Sequence, residues 1–179
     1  MAQPDRKVSH QTMEGMRELF SSYTRVHGRF RPSVNNSPEL KVTGNSRTVN
    51  GPPNETAWHE HLTGDHEGLG LIALLDDGES VQWAAIDLDN NQIDHTSLEA
   101  KVRELGLPLV VCRSKSGGAH CYLFLEEPCS AVDVRDALKN WSAALGNPGA
   151  EIFPKQTTRK INPATGEARL GNWINLPYF

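Results

Sequence analysis

Apolar positions recur along the chain with two periods, and the switches between them mark the elements. Over Ser9–Tyr23, Met13, Met16, Leu19 and Phe20 fall at helical spacing, which predicts a first amphipathic helix. Residues 24–53 follow neither period and are rich in Arg, Asn, Ser, Gly and Pro. They read as a long irregular segment, of the kind that is functional when set inside a compact domain. Asn54 precedes a short helix over Glu55–Leu62, and Leu69–Leu75 reads as a strand followed by the turn Asp76-Asp77-Gly78. Ser80–Leu88 is a strand by its apolar run. Thr96–Leu105 is a helix with Leu98, Val102 and Leu105 as its stripe, Thr96 as cap, Glu99 three residues on and Gly106 as stop. Leu109–Arg113 is a strand, Gly117-Gly118 a turn, and Ala119–Leu125 a strand with period-two alternation. Ser130–Leu145 is a helix stopped by Gly146, with Val134, Leu138 and Trp141 along one side, and Ala150–Phe153 is a short last strand.

From Ser80 onward the order is β-α-β-β-α-β, the ferredoxin-like or RRM-like unit. The expected fold class is therefore α+β: an RRM-like core over 80–179 with an N-terminal α/β lobe over 1–79 packed on it, the two forming one domain. The strands of such a unit are antiparallel neighbours in the order 4-1-3-2, with right-handed crossovers. The end of its first strand, the turn after its second and the starts of its third and fourth then share one edge. That edge holds Asp87 and Asp89, the stretch Ser114-Lys115-Ser116-Gly117-Gly118, His120 and Glu151. Strand alternation puts Asp87 and Asp89 on a face with Trp83 and Ala85, His120 with Tyr122 and Phe124, and Glu151 with Phe153. The opposite face, with Ala84, Ile86, Leu88, Cys121, Leu123, Leu125 and Ile152, is apolar and suits the two helices. Function belongs on the first face.

Composition narrows the class. The chain has 179 residues, 37% hydrophobic and 22% charged, with a formal net charge of −4, which is a globular composition and not a fibrous or disordered one. The run Leu69–Leu75 is too short to cross a bilayer, and MAQPDRKVSHQT has no apolar h-region. Cys112, Cys121 and Cys129 have no CxxC spacing, which predicts neither a disulfide framework nor a zinc site. A cytoplasmic protein away from membranes is expected. Its charge is uneven: Arg25, Arg29, Arg31, Lys41 and Arg47 meet only Glu39 between Thr24 and Asn50, and Lys155, Arg159, Lys160 and Arg169 meet only Glu167 from Ile152 onward. Two basic segments in an acidic chain suit local binding of an anion.

The predicted edge has a chemistry. Carboxylates at i and i+2 on one strand hold hard divalent cations such as Mg²⁺ or Mn²⁺ through oxygen, and Glu151 completes a clamp of the two-metal kind. The stretch from Ser114 to His120 offers hydroxyls, glycine N–H groups, a lysine charge and an imidazole to phosphate oxygens. It is not a Walker A loop, since G-x-x-x-x-G-K-[ST] is absent.

Asp87-x-Asp89 at a strand end, the Ser-rich Gly-Gly-x-His stretch ending at His120, and Glu151 opening EIFPKQ together resemble the three motifs of the archaeo-eukaryotic primase superfamily. LGNWINLPYF, with Asn172 and Asn175, and HLTGDHEGLGLIALL strengthen the likeness. They resemble the primase-polymerase branch found in TOTE conflict systems, CRISPR-associated primase-polymerases and some phage or plasmid replication proteins, over roughly Arg25 to Phe179. The resemblance implies template-directed synthesis from NTPs or dNTPs on single-stranded DNA, or RNA, in a prokaryotic, phage or plasmid setting. It makes Asp87, Asp89 and Glu151 catalytic holders of two Mg²⁺ or Mn²⁺ ions. It also makes Ser114, Lys115, Ser116, Gly118, His120, Lys155, Asn172 and Asn175 nucleotide contacts. Arg25, Arg29, Arg31, Arg47, Arg159 and Lys160 are the matching candidates for the template. The zinc element of some primases has no counterpart here. The helical C-terminal domain is also missing, so further helical or helicase domains are expected in a longer parent protein.

Two other classes compete. An RRM-like, non-enzymatic single-strand binder would stack bases on Tyr122 and Phe124, but three acids on that face oppose a polyanion and the K/R-G-F/Y-G/A-F signature is unmatched. A metal-dependent nuclease would use His59-Glu60-His61, but positions i and i+2 of a helix do not face each other.

Overall fold

Two antiparallel sheets of four strands carry the fold, and the helices are distributed around them. The computed structural model describes residues 8–33, 43–160, 164 and 170–179; Glu39, Lys41, Glu167 and Arg169 of the basic segments lie outside these. The elements are α1 (His10–Leu19), β1 (Val26–Pro32), β2 (Gly44–Asn50), α2 (Glu55–Thr63), β3 (Gly68–Leu71), β4 (Ser80–Leu88) and α3 (His95–Glu104). There follow β5 (Val110–Arg113), β6 (Ala119–Ser130), α4 (Ala131–Ala144), β7 (Glu151–Phe153) and β8 (Ile174–Asn175). The chain is α+β throughout.

The second sheet is the predicted unit. Its order is β5-β6-β4-β7, which is 4-1-3-2 read from the other edge, and every pairing is antiparallel. Helix α4 packs on β4, β6 and β7, and α3 on β5. The apolar face, with Ala84, Ile86 and Cys121 fully buried and Leu88, Leu123 and Ile152 nearly so, forms that side of the core. Helix α3 is capped two residues earlier than Thr96: the Asp94 carboxylate accepts from the Thr96 N–H at 3.0 Å and the Ser97 hydroxyl at 2.6 Å. Gly106, at φ 62, follows its end as expected. Strand β6 runs on past Leu125 to Ser130, because its second half pairs Cys129 with Val81 and Ser130 with Ser80 across an irregularity between Val81 and Trp83.

The described parts of residues 24–53 are not irregular. They supply β1 and β2, which pair from Val26↔Asn50 to Pro32↔Gly44. The polar sequence of β2, GNSRTVN, belongs to an exposed edge strand, where no apolar period is needed. Strand β1 is buried for five residues despite carrying His27 and Arg29. The predicted strand Leu69–Leu75 is shorter, as β3 ends at Leu71 and only Leu74 bridges to Val81. The first sheet runs β2-β1-β3-β8, so its last strand comes from the tail.

Phe20, at the C-cap of α1, joins the layers. It is 3% exposed and meets Trp83, Tyr122 and Phe124 edge-on at 5.2, 5.3 and 5.2 Å, a geometry favoured by the ring quadrupoles. Trp83 Nε1 donates to Ser21 O at 2.6 Å, fixing the end of α1 on β4. Phe20→Ala is expected to cost roughly 3–5 kcal/mol, as buried aromatic truncations do, read as a lower urea midpoint at unchanged slope. A loss below about 1 kcal/mol would show that the lobe does not depend on this contact.

Candidate active site

Strand β4 lies between β6 and β7, and its last residues are paired on both sides. Asp87 is opposite His120 of β6 and opposite Glu151 of β7. Directly opposed residues share a sheet face with Cβ atoms about 5 Å apart, so the backbone register alone brings two carboxylates and an imidazole together. Asp89 follows just beyond the strand end. The loop between β5 and β6 closes the same edge: Ser114 N donates to Gly118 O at 2.8 Å and Gly117 sits at φ 88. A Cβ on Gly118 would run into the Leu88 carbonyl, so glycine is what lets this loop press against the end of β4.

These groups line a cleft of about 270 Å³ with Asp87, Asp89, Ser114, Lys115, Ser116, His120, Glu151 and Asn175 on its walls. Phe153, Trp173 and Ile174 complete the lining. His120 Nε2 is 3.5 Å from Asp87 Oδ1. Its Nδ1 is 3.0 Å from the Tyr122 hydroxyl, which itself donates to Asn175 O at 3.2 Å. Burial pushes the Tyr122 phenol well above its ordinary range, with Cys112 and Asp87 adding to the shift, so that hydroxyl keeps its proton. With the phenolic proton committed to Asn175, the His120 Nδ1–H donates to the phenol and Nε2 is left to face the cleft.

The cations are already engaged. Lys115 Nζ lies 3.3 Å from the centre of the Phe30 ring, tying the loop to β1. Lys155 Nζ pairs with Glu151 Oε2 at 2.7 Å. Arg135 of α4 donates to the Pro154 carbonyl at 2.8 Å and to the Lys155 carbonyl, which holds that turn in place. Asn172 does not line the cleft; it accepts from Gln156 Nε2 at 2.6 Å and donates its N–H to Gln156 Oε1 at 3.2 Å. Among the described residues no three His, Cys, Asp or Glu side chains converge closely enough to hold a metal ion as they stand. The donor set is nevertheless all carboxylate oxygen and suits a hard cation that keeps part of its water shell.

A family model for the TOTE conflict system, Archaeo-Eukaryotic Primase domain, matches residues 12–179. The chain belongs to this family. At the superfamily level its chemistry is primase-like nucleotidyl transfer. The search of curated proteins found no significant match.

Within this primase domain the cations proposed for a template differ in how they are held. Arg29 is 6% exposed and is held by Glu60, by Glu67 Oε2 at 3.4 Å and by the Glu67 carbonyl at 3.3 Å. Arg159 lies 3.7 Å over the Tyr23 ring and donates to the carbonyls of Leu74, Leu75 and Asp76. Arg29 is thus a buried clamp neutralised by two carboxylates, and the half-buried Arg159 is engaged by a ring and three carbonyls, so both serve the fold. Arg47 is exposed but engaged by Glu67 at 2.6 and 3.3 Å. That hydrogen bond is the main reason the Glu67 carboxyl lies below its usual range. Arg25, Arg31 and Lys160 are exposed.

Both competing classes lose their residues. Tyr122 is fully buried and Phe124 is packed against Phe20, so neither is a platform for stacked bases. His61 is fully buried, whereas His59 is exposed. His61 Nδ1 accepts from the Leu69 N–H at 3.1 Å and Nε2 donates to Pro177 O at 2.7 Å, so the neutral ring bridges α2, β3 and the tail.

Trp173 went unnoticed in the sequence, although a signal was present. Gly28 and Gly70 are paired across β1 and β3, and a Cβ on either would collide with the Trp173 indole. Glycines inside strands mark such close approaches.

Burial lowers the His61 pKa from 6.5 to about 4. The unfolded chain therefore takes up a proton that the folded chain refuses as pH falls from about 6.5 to about 4. Stability is expected to drop through that window by up to about 3 kcal/mol from this group. His61→Gln, which keeps a donor for Pro177 but does not titrate, should flatten that part of the pH profile of the urea midpoint. An unchanged profile would refute the assignment.

Proposed function

We propose that this primase domain catalyses template-directed nucleotidyl transfer, joining ribo- or deoxyribonucleoside triphosphates on a single-stranded DNA or RNA template. The observation that supports it most is the double pairing of Asp87, with Asp87, Asp89 and Glu151 lining one cleft together with Ser114, Lys115 and Ser116 of the β5–β6 loop. Asp87, Asp89 and Glu151 would hold two Mg²⁺ or Mn²⁺ ions, whose chemistry when bound is to neutralise charge on the attacking and leaving oxygens. Glu151 joins that set by exchanging Lys155 for the cation, which frees the lysine for a phosphate. Ser114 and Ser116 donate hydroxyls and Lys115 brings charge, while the glycines of the loop allow close backbone approach. His120 would meet a phosphate oxygen through Nε2, its ring held by Tyr122. Asn175 presents its amide from β8 on the opposite wall. Donors fixed in this way before the reaction need little reorganisation as charge develops.

The test is incorporation of labelled NTPs and dNTPs on primed and unprimed templates with Mg²⁺ or Mn²⁺. Wild type should extend. The double variant Asp87→Ala/Asp89→Ala should lose at least about a hundredfold while keeping its fold. Lys115→Ala should raise nucleotide KM roughly tenfold with a smaller change in kcat. No metal-dependent incorporation by wild type, or full incorporation by the double variant, would overturn the proposal.

A further inference from the structure

A second groove, of about 500 Å³, adjoins the cleft and shares Ser114 and Lys115 with it. Its far wall is the tail, and the tail is anchored on both sides of one residue. Leu176 N donates to Leu69 O at 2.9 Å, and Pro177 O accepts from His61. The Phe179 ring stacks on His61 with centroids 6.0 Å apart and lies against Gly68. Between these anchors Tyr178 has φ 78 and is 61% exposed. A bulky residue in the left-handed region is an outlier that persists only where its surroundings over-determine it. Here the surroundings hold an aromatic ring outward along the groove wall.

The charge on the groove is of one sign. Arg113 and Lys115 line it, and no Asp or Glu does among the described residues. An exposed aromatic ring beside cations is the chemistry that binds single-stranded nucleic acid, because every base has a face to stack and every nucleotide a phosphate. We propose that this groove takes a nucleobase of the nucleic-acid strand, stacked on Tyr178, with the strand's phosphate drawn to Arg113. The shared wall at Ser114 and Lys115 places that base next to the nucleotide cleft. The inference rests on the polymerase reading for its choice of polymer, but its test needs no catalysis.

Single-stranded oligonucleotides carrying one 5-iodouracil are irradiated with the metal-free protein, and the crosslinked residue is mapped by mass spectrometry. Wild type should crosslink at Tyr178. By fluorescence anisotropy Tyr178→Ala should bind the oligonucleotide about tenfold more weakly and Tyr178→Phe like wild type, while Arg113→Gln should flatten the log–log salt dependence of binding by about one unit. If Tyr178→Ala fails to fold, the wild-type crosslink decides. Crosslinking only at other residues, or unchanged binding by a folded Tyr178→Ala, would overturn the proposal. So would a crosslink at Tyr178 from a 5-iodo-dUTP monomer but not from the strand, since the groove would then hold the incoming base. Loss of incorporation in wild type with the Tyr178 crosslink intact would refute the polymerase reading and leave this site standing.

Discussion

Asp87 is opposed by His120 on one neighbour and by Glu151 on the other, and that double register is the constraint on which the site depends. A slip of one residue would turn Asp87 into the helix-covered core and bring Ile86 into the cleft. The slip is resisted by burial. Ala84 and Ile86 are fully buried beneath α4, and the same slip would expose them. The apolar face of β4 thus fixes the position of acids it does not touch. The loop adds a second lock, since Gly118 fits only where Leu88 ends the strand.

The other face of the same sheet could not remain open. Trp83 and Tyr122 are fully buried, and an exposed aromatic patch of that size would invite association. Phe20 covers them, and the first sheet adds a wall around the cleft. Trp173 lies over the paired glycines of β1 and β3, and Asn175 enters through β8. The lobe has its own electrostatic requirement. Burying Arg29 brings Glu60 and Glu67 to it, and Arg47 then meets the outer side of Glu67. Covering the sheet therefore turned an RRM-like unit from a base-stacking surface into a cleft with walls.

The core unit was legible because its signals are local. The run of β4, the alternation of β6 and the stops at Gly106 and Gly146 are each contained within one element, and topology then brought Asp87, His120 and Glu151 to one edge. The lobe was less legible because its signals are distant. Strand β1 hides Arg29 in the interior only because Glu60 and Glu67 neutralise it from 31 and 38 residues away. Strand β2 is a polar edge with no period to read. Arg159 looked like a free cation because Tyr23 and the Leu74–Asp76 carbonyls that hold it are farther off still in sequence. Lys155 and Asn172 were drawn to the same family motifs, yet one is paired with Glu151 and the other braces Gln156.

The formal charge of −4 would suggest that a polyanion is repelled, but repulsion depends on where charges lie within a Debye length of about 8–10 Å. The acids Glu60 and Glu67 are neutralised within the lobe, and Glu151 by Lys155. Asp87, Asp89 and Glu151 all line the cleft, which is the distribution that the proposed site for divalent cations calls for. The adjoining groove is lined by Arg113 and Lys115 and, among its described lining residues, by no Asp or Glu. On the proposed reading, a strand approaching along the groove would meet cations first and acids only at the cleft. Net charge averages these two surfaces away, and the proposed binding of both cations and phosphates by a chain that is acidic overall rests on their separation.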